Sequence, residues 1–216
     1  MKNPYPGKLI AFEGPDGAGK TTQRNMAVAH FEPLRKTAKV KEPAADRPSG
    51  ELIYSLLFGK HELKFSDMSQ KERQLFYFIN RMEHYRSVVF PALEDGFTVF
   101  SDRSLASIVL DCERPGDLEM LLEYEKHIFQ MTSVPLMWPD LIIIYDVEVE
   151  VALERLEKKG QPPDFFEQAA KIGRTRKAYL EFAKKFPDVC RVIDAERSER
   201  RVFTKTLEVL KEVLET

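Results

Sequence analysis

The chain has 216 residues, 43% of them hydrophobic and 31% charged, with 33 lysines and arginines against 35 aspartates and glutamates for a formal net charge of −2. This is the composition of an ordinary soluble globular protein, long enough for one sizeable core, and the charge balance provides no basic field for a nucleic-acid partner. No window approaches the roughly 20 apolar residues of a membrane span, MKNPYPGK is no signal peptide, and two distant cysteines, Cys112 and Cys190, fit neither a metal spacing nor a disulfide framework. The expectation is a cytoplasmic protein with no membrane partner.

The first apolar run, Leu9 to Phe12, reads as a buried strand. It leads directly into FEGPDGAGKTTQ, where Gly14 to Thr21 fits the spacing G-x-x-x-x-G-K-S/T. Gly14, Gly17 and Gly19 permit backbone conformations closed to other residues, so successive N–H groups can line an anion nest. The loop feeds a helix beginning near Lys20, whose positive end favours phosphate. In this pattern Lys20 reaches the β- and γ-phosphates and the Thr21 hydroxyl ligates magnesium. A weak strand follows at Lys39-Val40. Ser69 to Pro91 then reads as one long helix with an apolar stripe of Leu75, Phe78, Ile79, Met82 and Val89. Tyr77, Arg81, His84 and Val88 occupy the neighbouring face. On helical spacing alone, Tyr77 is an edge-of-core aromatic and Arg81 a solvated charge.

Phe97 to Phe100 is the third strand and runs into Asp102-Arg103. An aspartate there suits a magnesium partner acting through water, or a helix N-cap, while Arg103 can contact phosphate. LIIIY, Leu141 to Tyr145, has the β-branched and aromatic make-up of a strand buried on both faces and is followed by Asp146. Val189 to Ile193 is the fifth strand, followed by Asp194. Strands alternating with amphipathic segments predict an α/β fold, a five-stranded parallel sheet flanked by helices. Ligands then bind outside the carboxyl ends of the strands, so the glycine loop and all three aspartates share one edge. KKGQPPDFF, Lys158 to Phe166, breaks two helical patterns at Gly160, Pro162 and Pro163. It predicts a small helical flap over about residues 155–168, or a plain surface turn. Arg155, Lys158 and Lys159 make the flap basic, as phosphoryl transfer with exclusion of water requires. There is no N-K-x-D guanine reader, and Arg103 stands where an ATP-driven motor usually has glutamate.

FEGPDGAGKTTQ, with its Phe-Glu-Gly lead-in and Thr-Thr-Gln exit, closely resembles the P-loop of thymidylate kinases. The resemblance continues through KEPAADRPSGE, similar to the family's Arg-Glu-Pro loop, LFYFINRMEH, VVFPALEDGFTVFSDR, PDLIIIYDV with ALERL, and YLEFA to VIDA. It covers nearly the whole chain in order. It implies a three-layer P-loop nucleoside monophosphate kinase fold, one domain over 1–216 with a mobile flap. It implies transfer of the γ-phosphate of ATP to dTMP with Mg2+, giving dTDP for dTTP synthesis, in a cytosolic homodimer.

By the same resemblance Gly14, Pro15, Asp16, Gly17, Ala18, Gly19, Lys20, Thr21 and Thr22 hold ATP, with Arg155 and Ala195. Asp16, Lys41, Arg47, Tyr77, Arg81, Arg103 and Ser107 hold the acceptor, Tyr77 stacking on the thymine and Arg81 hydrogen-bonding it. Thr21 and Asp102 serve the metal. Asp16, Lys20 and Arg103 carry catalysis together with a flap lysine, Lys158 or Lys159. The chain departs from the family pattern at Ser104, usually Tyr, at Asp111-Cys112, usually Tyr-Gln, and at Ala45, where some members have an arginine. Asp102-Arg103-Ser104 is also similar to the Glu-Arg-Ser of deoxynucleoside kinases, so the alternative is a deoxynucleoside kinase or another nucleoside monophosphate kinase with altered acceptor preference. A nucleotide-binding module without catalysis is the third reading.

Overall fold

Five parallel strands form one sheet in the order β2-β3-β1-β4-β5. They are β1 Lys8–Glu13, β2 Thr37–Lys41, β3 Thr98–Asp102, β4 Leu141–Asp146 and β5 Cys190–Asp194. The computed structural model describes residues 3–60, 62–158, 160 and 169–215. Among these the α-helices are α1 Lys20–Phe31, α2 Pro48–Leu57, α3 Gln70–His84, α4 Phe90–Glu94, α5 Asp117–Gln130, α6 Val149–Lys158, α7 Ala169–Lys185 and α8 Glu199–Leu214. No described helix is long and apolar enough to cross a membrane.

The period-2 alternation of strand side chains sorts the core into two layers. Leu9 and Ala11 of β1, with Val99 and Ile144, join Phe78, Leu93, Leu121, Phe129 and Phe182 from α3, α4, α5 and α7. Ile10 and Phe12, with Phe100, Ile143 and Tyr145, join Ala27, Phe31, Leu156, Val202 and Leu210 from α1, α6 and α8. The expected three-layer arrangement follows, and both faces of the sheet are covered. β1 is central, and the chain leaves it for β2 and β3 on one side and for β4 and β5 on the other. That reversal opens the crevice at the carboxyl ends. Asp102, Asp146 and Asp194 are the last residues of their strands, as the sequence predicts.

The helix predicted over Ser69 to Pro91 is continuous in direction but not in type. Ser69 caps it: its hydroxyl accepts from the Glu72 N–H at 3.3 Å, and the Glu72 carboxylate accepts from the Ser69 N–H at 2.7 Å. After His84 the five residues Tyr85–Val89 form a π turn before α4 begins. Pro91 explains the change. It has no N–H to give residue 87, and its ring collides with the carbonyl of that residue in a regular α-helix. The wider turn relieves both, and places Tyr85 and Val89 in the core at 1% exposure.

The predicted apolar stripe needs correction at Ile79, which is 52% exposed. The inward face of α3 instead carries Arg73, Gln74, Phe78, Asn80, Arg81 and His84, all buried. Much of this face borders a cavity, so polar side chains are buried against one another there. Ser104, not Asp102, caps the turn that follows β3: its hydroxyl accepts from the Ala106 N–H at 3.2 Å.

α2 is pressed onto the loop after β2. Asn80 of α3 holds that loop by both polar groups of Ala44, accepting from its N–H at 2.8 Å and donating to its carbonyl at 3.2 Å. A Cβ on Gly50 of α2 would lie 1.8 Å from the Ala44 carbonyl oxygen. Gly50→Ala is therefore expected to destabilise the fold by about 1–3 kcal/mol, the usual cost of overpacking. A urea midpoint that does not fall, at unchanged slope, would contradict this close approach.

Candidate active site

A cavity of about 640 Å³ lies at the carboxyl edge of the sheet. One end is formed by the glycine loop, with Asp16, Gly17, Gly19, Lys20, Thr21 and Thr22. The other is formed by Tyr54, Gln74, Tyr77, Asn80, Arg81, Ser107, Ile108 and Asp111. Lys41, Glu42, Asp102, Arg103 and Ser104 line the space between them.

The loop takes its shape from position as well as composition. Gly17 has φ of +84°, and a Cβ there would stand 2.5 Å from the Ala152 carbonyl oxygen. Only glycine combines that dihedral with that approach to α6. Ala18 is buried beside it. Lys20, at 6% exposure, turns back over the loop, its ammonium donating to the Pro15 carbonyl at 2.9 Å and to the Asp16 carboxylate at 3.3 Å. The Thr21 hydroxyl donates to Asp102 at 2.5 Å, which places the two expected metal-site residues together at the mouth of the loop. Arg24 lies behind them, 3.9 Å from the same Asp102 oxygen.

Asp16 is the meeting point of the cations. Its carboxylate accepts from the Arg103 guanidinium at 2.5 Å as well as from Lys20. Burial works against its charge, but Arg103 and Lys20, helped by Lys41, outweigh it and hold the carboxyl below its usual range. Burial and the nearby Arg103 together lower the Lys20 ammonium. Lys41 closes the group from the end of β2, with its ammonium 5.4 Å from the centre of the Tyr54 ring.

A second network, unassigned by sequence reasoning, supports the first. Glu13, the residue before the glycine loop, has no exposed surface. Its Oε1 accepts from the Ser104 N–H and hydroxyl at 2.6 and 2.8 Å, and its Oε2 from the Ser107 and Tyr179 hydroxyls at 2.8 and 2.7 Å. Tyr179, on α7, in turn accepts from Arg103 at 3.2 Å. Burial pushes the Glu13 carboxyl up, opposed by Arg103 and these hydrogen bonds. The available sequence signal is an acidic residue closing an otherwise apolar strand.

At the far end, Tyr77 lies against the Phe65 ring, with centroids 5.7 Å apart. Arg81 is 4% exposed rather than solvated. It donates from Nε to Glu42 at 2.7 Å, from Nη1 to Glu125 and from Nη2 to the Ser104 carbonyl at 3.2 Å. Asp111 is buried in the wall and accepts from Arg73 at 2.7 Å and Gln74 at 2.6 Å. Burial pushes its carboxyl up against the pull of Arg73.

The remaining expected residues fall in different places. Arg155 donates to the Gly17 carbonyl at 3.4 Å and to the Ala195 carbonyl at 2.8 Å, which brings these three ATP-site candidates together. Ser107 lines the cavity with its hydroxyl engaged by Glu13. Arg47 stands at the N-terminus of α2, 3.7 Å from Asp46, outside the cavity lining. Lys158 is exposed at the end of α6 and lies 3.9 Å from Glu154. Lys159 and most of the expected flap, residues 161–168, lie outside the described residues. Among the described residues no three His, Cys, Asp or Glu side chains converge on a metal position.

Asp16 ionises more readily in the folded protein than in the unfolded chain. Its ion pairs therefore stabilise the fold fully above the unfolded carboxyl value and are lost as pH falls through the lower folded value. The melting-temperature deficit of Asp16→Asn against the parent is expected to be constant above about pH 5 and to close below about pH 4. A deficit that widens on acidification would show the opposite sign of coupling.

The thymidylate kinase family model matches residues 12–206. A thymidylate kinase of Pediococcus pentosaceus is 31% identical over 212 residues, covering 96% of this chain and 99% of that protein. One of Pelotomaculum thermopropionicum is 32% identical over 214 residues, covering 97% and 95%. A probable thymidylate kinase of Pyrococcus horikoshii is 27% identical, covering 96% and 98%. The match spans the glycine loop, the Asp102-Arg103 turn and the cavity wall alike, and the chain belongs to the thymidylate kinase family.

Proposed function

We propose that the protein transfers the γ-phosphate of ATP to dTMP, giving dTDP and ADP, as one domain acting in the cytoplasm. The observation that carries this reading is the gathering of Lys20, Lys41 and Arg103 around Asp16, midway between the glycine loop and Tyr77 with Arg81. These cations, balanced by Asp16 with Asp102 and Glu13 close by, stand where two phosphates would meet. Family membership supplies the acceptor.

The glycine loop and Lys20 would hold the β- and γ-phosphates, with Arg155 and the backbone at Ala195 on the nucleoside side. Tyr77 would stack on the thymine, and Arg81 would donate to it. Arg103 and Lys41 would hold the acceptor phosphate, with Ser107 against the acceptor and Arg47 approaching from α2. An oxygen of the acceptor phosphate attacks the γ-phosphorus, and the bond from that phosphorus to the β–γ bridging oxygen breaks. A phosphate monoester carries roughly −1.5 to −2 charge near neutrality. The attacking oxygen therefore has no proton to lose, and Asp16, held ionised, acts by orienting Arg103 and Lys20 rather than as a base.

Thr21 and Asp102 offer hard oxygen donors side by side and fit Mg2+, which takes few protein ligands and keeps waters. When bound, the ion neutralises charge on the β- and γ-phosphates. By family resemblance Lys158 or Lys159 would supply a further cation from the flap. By the same resemblance the protein would act as a homodimer, which light scattering would report as twice the 25.0 kDa chain mass.

ADP release measured against dTMP, dUMP, dCMP and thymidine tests the reading. The expected result is turnover that needs magnesium and is fastest with dTMP. Lys20→Ala is expected to lower turnover by at least about a hundredfold, as removal of a transition-state donor does. Arg81→Ala is expected to raise KM for dTMP more than KM for ATP. No turnover with either dTMP or dUMP at millimolar concentration would overturn the assignment, and thymidine as the better acceptor would move it to the nucleoside kinases.

A further inference from the structure

The inward stripe of α5 is Asp117, Leu121, Glu125 and Phe129, each four residues from the last. Asp117 is explained by the loop before α5, accepting from the Glu113 and Arg114 N–H groups at 2.8 Å. Glu125 is not explained by packing. It has no exposed surface and lies between two apolar core positions, where a leucine would continue the stripe. Its Oε1 accepts from Arg81 Nη1, and its Oε2 has no partner among the described residues. A buried carboxylate with one oxygen unsatisfied is a costly choice where an apolar side chain fits. Arg81 already has a carboxylate partner in Glu42, so neutralising the cation does not require a second.

Orientation does. Glu42 on Nε and the longer, uncharged contact of the Ser104 carbonyl on Nη2 hold two edges of the guanidinium. A charged acceptor on Nη1, from a third element, tightens the hold on its plane. Arg81 is held in this way from the loop after β2 through Glu42 and from α5 through Glu125, with the Ser104 carbonyl on Nη2. Among the described residues these three bonds use three of its five N–H groups, leaving two on a residue that lines the cavity beside Tyr77.

We propose that Glu125, from outside the cavity lining, is a positioning residue for acceptor recognition that fixes the plane of Arg81 so that its two free N–H groups meet the carbonyl edge of the acceptor base. The inference rests on the reading that Arg81 contacts that base. It assigns discrimination between a 4-oxo and a 4-amino pyrimidine partly to a residue that never touches the nucleotide. A 4-oxo edge accepts from both N–H groups only when the fork is held in the plane of the base. A loosened fork loses that advantage over a 4-amino edge.

The test is steady-state kinetics of Glu125→Gln and Glu125→Asp with dTMP and dCMP as acceptors. The amide keeps the size of the side chain but not its charge, and the aspartate keeps the charge but withdraws it by one methylene. In Glu125→Gln, KM for dTMP is expected to rise about tenfold, the scale of one hydrogen bond to a charged group. The kcat and KM for ATP should stay within about twofold, and the dTMP-to-dCMP ratio of kcat/KM should narrow by most of the same tenfold. Glu125→Asp should shift the ratio in the same direction but less, and it decides the question if the amide variant does not fold. Unchanged dTMP KM and ratio in the folded variants would overturn the proposal. So would an equal loss of kcat for both acceptors at a constant ratio, the signature of a merely structural role. Absence of dTMP turnover in the parent would instead refute the assigned reaction, whatever the variants do.

Discussion

One guanidinium, that of Arg103, ties the site together. Among the described residues it is the non-glycine residue with positive φ, at 77°. A bulky side chain in that region is strained and persists only where its surroundings hold it. Here its N–H donates to the Phe12 carbonyl at 3.1 Å, and its carbonyl accepts from the Ser101 hydroxyl at 2.6 Å. Its side chain spans Asp16 and Tyr179. β1, the loop, the turn after β3 and α7 therefore converge on one cation, and Glu13, at the end of β1, ties that strand to the turn through Ser104 and Ser107 and to α7 through Tyr179.

At the loop end of the cavity the polar groups bind one another. Lys20 is bound to Pro15 and Asp16, Thr21 to Asp102, and Arg103 to Asp16 and Tyr179. An incoming phosphate therefore exchanges one set of charge-assisted bonds for another rather than meeting bare cations. The internal partners keep the cations in place, and they also limit affinity, since each is displaced or shared on binding. The lowered Lys20 ammonium belongs to the same balance: its burial next to Arg103 costs free energy that a phosphate anion would relieve.

The sheet, its parallel sense and its ligand edge were legible because buried parallel strands are written as short apolar runs with turns between them. β2 was the weakest, since Thr37–Lys41 is an edge strand with two lysines and little burial. Lys20, Thr21, Asp102 and Arg103 were legible as one group because spacing along the chain puts them at the carboxyl ends of the strands, whereas Asp16 entered through the family resemblance. Glu13, Glu125, Arg73 and Tyr179 were not, because their roles depend on contacts more than 35 residues apart in sequence. Periodicity misled at Ile79 for a definable reason: a helix beside a nucleotide-sized cavity buries a polar face, and an apolar stripe then no longer marks the inside. Glu125 did leave a signal, an acidic residue at a core position of α5, four residues from Leu121 and from Phe129.

That polar interior has a common plan. Arg103, Arg81 and Arg73 each meet a carboxylate from a different element: Asp16, Glu42 with Glu125, and Asp111. Buried ion pairs of this kind contribute little to stability compared with apolar pairs of similar volume, because desolvation offsets most of the attraction. Packing alone would favour leucines at Glu125 and Asp111, and burial raises both carboxyls, so each lowers stability as pH rises through its folded value. What such pairs supply is fixed direction: a planar cation held at two edges cannot turn, whereas leucine gives volume without orientation. Arg103 and Arg81 line the cavity from the glycine loop to its far end, where an anionic, planar substrate would need donors at set angles, and Arg73 backs the wall through Asp111. Their arrangement is better explained by the ligand than by the fold.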